Sequence, residues 1–263
     1  MTSLDAPAKI NLALVVGPVR PDGKHEVATV LQRVDLADRI SLDSGSILEI
    51  DGFPQDTLVR DALLALAKAT SVEPAWAVRI EKRIPVAGGL GGGSSDAAAA
   101  LMLANETLPS PLSPERLHRL AAELGADIPF FLTSGTQLGT ADGSELEPLE
   151  LPLDYAVLLL LPRTEVKSST ADVYAAFTGE RGFDDRLAQL IAAVEASDLA
   201  ALPQNDLASS PLPQELRAAG AFRADVSGAG PTVYGLFADD EQAAAARELF
   251  AGRCTTWLTA PAW

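Results

Sequence analysis

A glycine-rich segment at residues 85–97, with the sequence PVAGGLGGGSSDA, restricts the local backbone more than any other part of this chain. It joins a strand predicted at residues 77–84 to a helix predicted at residues 95–106. Glycine tolerates positive φ and lets the backbone come close to a ligand. The start of a helix adds unpaired N–H groups and the positive end of its dipole. Together these features predict a cradle for an anion, and a polyphosphate is the expected anion.

Two well-known phosphate-binding loops do not match this segment. A P-loop ends in Gly-Lys-Ser/Thr, and here Gly93-Ser94-Ser95 has no lysine. A Rossmann fingerprint needs an acidic residue about 20 residues later at the end of a strand, but Glu115 lies in a polar helix start. A flexible surface turn is the remaining alternative. The spacing favours phosphate binding and leaves open which phosphate is bound.

Charge and composition narrow the classes of partner. The chain has 263 residues, of which 48% are hydrophobic and 21% are charged, and its formal net charge is −16. A nucleic acid or an anionic membrane needs a basic surface, so neither is expected to bind. The single cysteine, Cys254, and the two histidines, His25 and His118, exclude an intrachain disulfide and a metal site made of several cysteines or histidines. The composition is that of an ordinary globular enzyme.

The sequence carries no evident targeting or membrane segment. The N-terminal apolar run has no basic region before it and is interrupted by Asp5 and Lys9, so a signal peptide is not expected. The longest apolar stretch, residues 155–161, is too short to cross a bilayer. A cytoplasmic location is the expectation that follows.

Strands and helices are predicted to alternate irregularly, which favours the α+β class over a doubly wound sheet. The predicted strands are residues 8–16, 26–36, 77–84, 155–161 and 254–258, with two short strands within 38–50 and a turn followed by a strand within 225–237. The predicted helices are residues 56–70, 95–106, 113–125, 168–177, 183–195, 215–219 and 241–250. The buried strand at residues 155–161 opens a second domain, so the predicted domains are residues 1–152 and 153–263.

Three separate segments resemble the motifs of one family, the GHMP small-molecule kinases. Pro7-Ala-Lys-Ile-Asn-Leu12 resembles the first motif, the glycine-rich segment resembles the second, and Ser227-Gly-Ala-Gly-Pro231 resembles the third. Asp22-Gly-Lys-His25 and Gly125-Ala-Asp-Ile-Pro-Phe130 make the resemblance narrower, to members that act on a cytidine diphosphate-linked methylerythritol. The motifs follow the order of the family over nearly the whole chain.

The resemblance implies a fold, a reaction and two cofactors. It implies an N-terminal α/β domain, a C-terminal ferredoxin-like domain and a substrate cleft between them. It also implies ATP, with Mg²⁺, as the donor of a γ-phosphate that is transferred to the 2-hydroxyl of the methylerythritol group. The expected partner is this small-molecule substrate, and the expected assembly is a monomer or a homodimer.

The resemblance makes Lys9 and Asp127 the catalytic residues. Asp127 follows a helix end at Gly125 and precedes an apolar Ile-Pro-Phe-Phe segment, predicted as a strand, where an unpaired carboxylate is costly. In the family this aspartate accepts or orients the proton of the substrate hydroxyl, and the lysine pairs with it. Asn11 shares a strand face with Lys9 and is expected to contact the substrate. An N-cap or turn aspartate and an edge-strand lysine in contact with water are the alternatives.

The resemblance assigns the cytidine to His25 and the residues around it. His25 would read the edge of cytosine, and Tyr174 stands where the family has a stacking aromatic. Another aromatic normally precedes the histidine, but this chain has Lys24, whose stem or ammonium can cover a ring without offering a π-face. Gly228 and Ala229 of the third motif are expected to lie against the substrate. A structural histidine and a core tyrosine are the alternatives.

The resemblance assigns ATP to the glycine-rich segment and one threonine. Thr57 stands where the family has an asparagine that contacts adenine, and threonine is shorter. One of the hydroxyls of Ser94 and Ser95 would meet phosphate or Mg²⁺ while the other caps the helix, with Ser95 as the predicted metal ligand. Asp96 would approach the metal or complement the helix dipole. The predicted set is Pro85, Val86, Ala87, Gly88, Gly89, Leu90, Gly91, Gly92, Gly93, Ser94, Ser95, Asp96 and Thr57.

Two other functions stay open on the sequence alone. A GHMP kinase for another small alcohol, such as homoserine or a mevalonate derivative, would share the three motifs, although Asp22-Gly-Lys-His25 favours a cytidine. A non-catalytic relative that binds a nucleotide would not need Lys9 and Asp127 together.

Overall fold

The computed structural model describes residues 1–53, 57–163, 170–177, 179 and 182–262. The chain forms two compact units. The first unit contains Met1–Ala8, Leu36–Val86 and Gly91–Ser134. The second contains Lys9–Asp35, Ala87–Leu90 and the chain from Gly135 onward. Within the described residues, no helix is both long and apolar enough to cross a membrane.

The described strands and helices follow in an irregular order. The strands are β1 (Thr2–Val19), β2 (His25–Ser44), β3 (Glu49–Asp51), β4 (Trp76–Glu81), β5 (Thr136–Thr140), β6 (Glu145–Leu149), β7 (Ala156–Pro162), β8 (Arg223–Val226), β9 (Val233–Phe237), β10 (Cys254–Thr259) and β11 (Pro261–Ala262). The helices are α1 (Thr57–Thr70), α2 (Gly92–Glu106), α3 (Pro114–Leu124), α4 (Ile128–Leu132), α5 (Thr170–Ala175), α6 (Phe183–Glu195), α7 (Leu212–Ala218) and α8 (Asp240–Phe250). This mixture confirms the predicted α+β class.

The first unit packs helices on a small sheet. The last part of β2 pairs antiparallel with β4, which pairs parallel with β3. Helix α2 packs against α1 and α4 and is buried along most of its length from Ser95 to Asn105. A helix can be enclosed this closely because its interior is mostly alanine, whose small side chain lets neighbouring backbones approach.

The second unit contains further strand pairings. The first part of β2 pairs with β5 and β11, and β5 pairs with β6. Four antiparallel strands in the order β10-β7-β9-β8 form a further sheet, against which α7 and α8 pack. Its core includes Leu158, Leu160, Val233, Phe237 and Phe250. The predicted buried strand at residues 155–161 is confirmed as β7, whereas the predicted domain limits at 152 and 153 stay a prediction.

Two strand predictions were wrong. The first of the two short strands predicted within residues 38–50 is the continuation of β2, which runs without a break to Ser44, whereas the second is present as β3. Asp38 does not interrupt β2, because its carboxylate is buried against Lys82 and two backbone N–H groups. The apolar segment after Asp127 is helix α4 rather than a strand, and Pro129 lies in its first turn, where proline is well tolerated. Strands β5 and β6 had no predicted counterpart.

The starts of two helices test the capping predictions. Helix α3 begins as predicted, since the Ser113 side chain accepts a hydrogen bond from the N–H of Arg116 and Pro114 opens the first turn. Helix α2 begins at Gly92 instead of residue 95, and its N-cap is Gly91. The prediction that a serine hydroxyl caps α2 was therefore wrong, because both serines lie inside the helix.

Candidate active site

The glycine-rich segment approaches α2 through a series of left-handed residues. Ala87, Gly89 and Gly91 have φ of 59°, 81° and 69°. The first hydrogen bond of α2 runs from the N–H of Ser95 to the carbonyl of Gly91 at 2.9 Å. The three preceding N–H groups of the first turn have no intrahelical acceptor, and neither a capping side chain nor an acidic residue stands there. The geometry offers backbone donors and a positive dipole to an anion.

Gly89 packs directly on the third motif within the second unit. A Cβ at Gly89 would lie 2.6 Å from the carbonyl oxygen of Ser227 and 2.8 Å from that of Gly230, so no larger residue fits. Ser227 Oγ donates to the Gly89 carbonyl at 3.0 Å, and the N–H of Thr232 donates to the Gly88 carbonyl at 3.1 Å. The segment is therefore not a flexible surface turn, because its glycines are needed for this contact.

Lys9 is buried on β1, with only 4% of its surface exposed. Its Nζ donates to Asn11 Oδ1 at 2.7 Å, which confirms that the two side chains share a strand face. Asn11 Nδ2 donates to Thr29 Oγ1 at 2.8 Å, and Thr29 Oγ1 donates to the Ala13 carbonyl at 2.7 Å. This chain of hydrogen bonds fixes the orientation of the Asn11 carboxamide. Burial excludes the alternative of an edge-strand lysine in contact with water.

The three motifs of the sequence meet around Gly228 in the second unit. Gly228 has a φ of +56°. A Cβ added there would lie 3.4 Å from Asn11 Oδ1 and 3.6 Å from both Gly89 O and Lys9 Nζ. The N–H of Lys9 also donates to the carbonyl of Leu90 at 2.9 Å. Backbone from the third motif, the first-motif lysine and the glycine-rich segment thus form one contiguous cluster.

His25 lies beside two aromatic rings. Its Nδ1 is 2.8 Å from the carbonyl oxygen of Gly17, which can only accept, so Nδ1 carries the proton and Nε2 of the neutral ring is an acceptor. The Tyr174 ring is tilted by 36° and the Phe177 ring is nearly perpendicular, each with its centroid 5.9 Å from that of His25. Sequence reasoning missed Phe177, although its spacing of three from Tyr174 is that of neighbours on one helix face.

An apolar cluster surrounds these rings. Leu14, Val16, Val27 and Leu207 form its buried part, and Val173, Tyr174, Phe177 and Ala229 pack against it. Ala229 of the third motif therefore shares one cluster with Tyr174. Lys24 is instead 57% exposed at its side chain, and its Nζ forms an ion pair with Asp142 Oδ2 at 2.5 Å.

Asp127 belongs to the first unit and stands at the N-cap position of α4. It is half-buried and has φ of −82° and ψ of −18°. Its side chain accepts no capping hydrogen bond from the helix, so the alternative of a plain N-cap aspartate does not apply. The residues that follow, Ile128 to Phe131, are buried, as expected for a carboxylate beside an apolar segment.

Asp38, Lys82 and Asp96 form a buried charged cluster in the first unit that sequence reasoning missed. Lys82 Nζ lies 2.5 Å from Asp38 Oδ2 and 2.7 Å from Asp96 Oδ2. Burial, and next the negative charge of Asp38, raise the pKa of Asp96 to about 8. Burial alone would lower the pKa of Lys82, but its hydrogen bonds to the two carboxylates raise it. No spacing rule links these residues, because they come from β2, the end of β4 and α2.

Two oxygen atoms in the first turns of α2 have no hydrogen-bond partner among the described residues, namely Ser95 Oγ and Asp96 Oδ1. Both residues are buried. Oxygen atoms are the ligands that Mg²⁺ prefers, and Mg²⁺ usually needs only one or two of them from the protein. These atoms fit a magnesium site, although the described residues include no group of three or more His, Cys, Asp or Glu side chains that could hold a metal.

Thr57 is the first residue of α1 and is exposed. Residue 56, the predicted start of this helix, lies outside the described residues. Its contact with adenine stays a prediction, as do the ligand contacts of the other predicted site residues.

Comparison with known proteins identifies the family. Residues 57–135 match the family described as GHMP kinases N terminal domain, and residues 210–252 match GHMP kinases C terminal. A 4-diphosphocytidyl-2-C-methyl-D-erythritol kinase of Synechococcus sp. (strain JA-3-3Ab) is 40% identical over 273 residues, which cover 94% of this chain and 88% of the relative. The kinase of the same name from Geobacter sulfurreducens (strain ATCC 51573 / DSM 12127 / PCA) is 37% identical over 280 residues, which cover 98% and 97%.

A solved structure agrees with these relatives. The alignment with the crystal structure of a 4-(cytidine 5'-diphospho)-2C-methyl-D-erythritol kinase covers 100% of this chain and 100% of the chain in that structure. Its TM-score is 0.82 at 28% sequence identity. The resemblance that the motifs indicated is confirmed: this chain belongs to the GHMP small-molecule kinases and, among them, to the 4-diphosphocytidyl-2-C-methyl-D-erythritol kinase family.

Proposed function

We propose that this chain transfers the γ-phosphate of ATP to the 2-hydroxyl of 4-diphosphocytidyl-2-C-methyl-D-erythritol. The observation that carries the proposal is the cluster around Gly228, where Lys9, Asn11 and Gly89 approach one glycine. Relatives at 37–41% identity, named for the same substrate, support it.

Phosphoryl transfer passes through a loose transition state, so positioning and charge do most of the catalysis. The Lys9 ammonium, oriented by Asn11, would stabilise negative charge that develops near the reacting hydroxyl. Asp127 would accept or orient the proton of that hydroxyl. Its half-buried position, with no helix cap to serve, suits this role.

The phosphates of ATP would lie on the backbone N–H groups of residues 87–96 and the first turn of α2. When bound, Mg²⁺ would neutralise phosphate charge, and Ser95 Oγ is the proposed protein ligand because it is buried without a partner among the described residues. Asp96 Oδ2 already contacts Lys82. Asp96 Oδ1 has no partner among the described residues and is therefore the second candidate ligand for Mg²⁺. Thr57 would lie near the adenine.

The cytidine would lie beside His25 and Tyr174. With its Nδ1–H directed to the Gly17 carbonyl, neutral His25 offers Nε2 as an acceptor for the amino group of cytosine. Tyr174 offers a ring for stacking, and Gly228 and Ala229 would face the substrate. Lys24 would contribute only through its stem, because its ammonium is paired with Asp142.

The test is an assay of ADP release with purified protein, Mg·ATP and one acceptor at a time. We expect turnover with 4-diphosphocytidyl-2-C-methyl-D-erythritol and none above the ATP-only background with homoserine or mevalonate. Turnover with another alcohol would keep the family and reject the substrate. Absence of turnover with all three acceptors would favour a non-catalytic nucleotide-binding relative.

A further inference from the structure

Asn205 is a buried asparagine between α6 and α7, and its carboxamide makes hydrogen bonds through both Nδ2 and Oδ1. It is 3% exposed. Its Nδ2 donates to the carbonyl of Val226 at 2.9 Å and to that of Gly228 at 2.7 Å. Its Oδ1 accepts from the N–H of Leu207 at 2.8 Å. The orientation of the side chain is thereby fixed, because both amide hydrogens and the oxygen have partners.

The backbone around Asn205 is anchored on two sides. The N–H of Asn205 donates to Asp225 Oδ2 at 2.8 Å, and Asp225 Oδ1 accepts from the N–H of Val226 at 2.8 Å. The next residue, Asp206, binds β1, since its N–H donates to the Leu14 carbonyl and its Oδ2 accepts from the N–H of Val16, both at 2.9 Å. Residues 205–206 therefore connect the strand that carries Lys9 and Asn11 to the loop that carries Gly228.

The carbonyl that Asn205 holds belongs to the residue at the centre of the cluster. Gly228 is in the left-handed region, and its α-carbon faces Lys9 Nζ and Asn11 Oδ1. Because the peptide is planar, fixing the Gly228 carbonyl also fixes the direction of the Ala229 N–H. Glycine is the residue most free to rotate its peptide, so a loop built on it needs an external anchor to keep one conformation.

We infer that Asn205 is a positioning residue for phosphoryl transfer. It holds the Gly228 peptide so that the third motif keeps its place against Lys9 and Asn11, and it acts without touching the substrate. This inference rests on the function proposed above.

The test compares Asn205→Asp with Asn105→Asp. Aspartate keeps the shape of asparagine but only accepts, so two carbonyls, of Val226 and Gly228, would face a carboxylate. Asn105 is a matched control, because it is a buried asparagine of the first unit whose Nδ2 donates to the Leu112 carbonyl at 3.0 Å and whose Oδ1 accepts from the Leu112 N–H at 2.8 Å.

We expect kcat with the cytidine substrate to fall about 100-fold in Asn205→Asp, the scale of a misplaced reacting group, after correction for the folded fraction at the assay temperature. The control should keep kcat within about threefold after the same correction, because its lost hydrogen bond joins two residues that are not part of the predicted site. Hydrogen exchange of peptides covering residues 226–232 should accelerate in Asn205→Asp alone.

Three results would overturn the inference. Equal corrected kcat values and equal exchange in the two variants would make Asn205 an ordinary core residue. If both Asn205→Asp and the second variant, Asn205→Ala, were unfolded at the assay temperature, the role would be structural. If the wild-type protein did not phosphorylate the cytidine substrate at all, the proposed function would fail first and this inference with it.

Discussion

Lys9 and Lys82 both contact the glycine-rich segment, Lys9 at Leu90 and Lys82 at Asp96. The partners of their side chains differ in kind. Lys9 donates its side chain to the neutral carboxamide of Asn11 and its backbone N–H to Leu90. Lys82 places its ammonium between two fully buried carboxylates, Asp38 and Asp96. The side-chain partner at Lys9 is thus a neutral amide, whereas both partners at Lys82 are ionisable carboxyl groups.

We infer from this difference that the Lys82 cluster stabilises the fold, whereas the Lys9 cluster belongs to the proposed active site. The Lys82 cluster joins β2, the end of β4 and α2, and Asp38 also accepts hydrogen bonds from the N–H groups of Arg83 and Ile84. It therefore fixes the chain just before the glycine-rich segment. The Lys9 cluster, which includes the neutral Asn11 and the backbone of Gly228, places an ammonium beside a surface built of backbone. We expect substitutions in the first cluster to change stability and those in the second to change catalysis.

The largest effect on stability is expected for Lys82→Met. Methionine keeps much of the volume but leaves two buried carboxyl groups without their cation, which should lower the free energy of unfolding by about 3–5 kcal/mol. Urea unfolding at pH 7 measures it. The control is Lys68→Met, at an exposed position near the end of α1, with an expected change below about 0.5 kcal/mol. A similar small change in both variants would mean that the Lys82 cluster does not stabilise the fold.

The second prediction concerns Asn11→Asp, which makes the Lys9 cluster resemble the Lys82 cluster. Asn11→Asp places a carboxylate on Lys9, as Asp38 and Asp96 place carboxyl groups on Lys82. We expect kcat with the cytidine substrate to fall about 100-fold, at the lower end of the range known for lost electrostatic stabilisation of a transition state. The thermal midpoint should fall as well, because aspartate cannot donate to Thr29 as Asn11 does. Steady-state kinetics and thermal unfolding of the same preparation measure both. Unchanged kcat in a folded Asn11→Asp would show that the neutral character of residue 11 is unimportant.

A third prediction concerns the dependence of stability on pH. The pKa of folded Asp96 is raised to about 8 from an ordinary value of 3.8, chiefly by burial, so the folded state binds more protons than the unfolded state between these values. Its contribution to stability is therefore complete below about pH 4 and is lost as pH rises towards 8, by up to about 1.4 kcal/mol per pH unit. Asp96→Asn should remove this slope, so its stability relative to wild type should increase between pH 5 and 8. The measurement is urea unfolding of both proteins at several pH values. If the plots of unfolding free energy against pH ran parallel for wild type and Asp96→Asn, the raised pKa would not belong to Asp96.

The sequence was sufficient to predict what depends on local spacing. Lys9 and Asn11 are two residues apart and share a strand face, and Ser113-Pro114 predicts the start of α3. The glycine-rich segment was also predicted before a helix, although the helix begins three residues earlier, because an uncapped glycine start gives no signal of its own.

Contacts between distant residues were beyond such rules. Asp38 and Asp96 reach Lys82 from other elements, so no spacing along the chain marks the cluster. The predicted strand ended at residue 36, whereas β2 continues through Asp38, whose partners Lys82, Arg83 and Ile84 are more than 40 residues away along the chain. In the same way, Asn205 lies 23 residues before Gly228 and gave no motif by itself.

The role of Lys9 should be measured first, by rapid-quench kinetics under single-turnover conditions with wild type and Lys9→Met, Mg·ATP and 4-diphosphocytidyl-2-C-methyl-D-erythritol. We predict that the transfer step slows by about 1,000-fold in Lys9→Met while Kd for ATP stays within about threefold, because the lysine acts on charge that develops in the transition state. An unchanged transfer rate with a weakened Kd for either substrate would instead make Lys9 a binding residue and remove it from the chemistry.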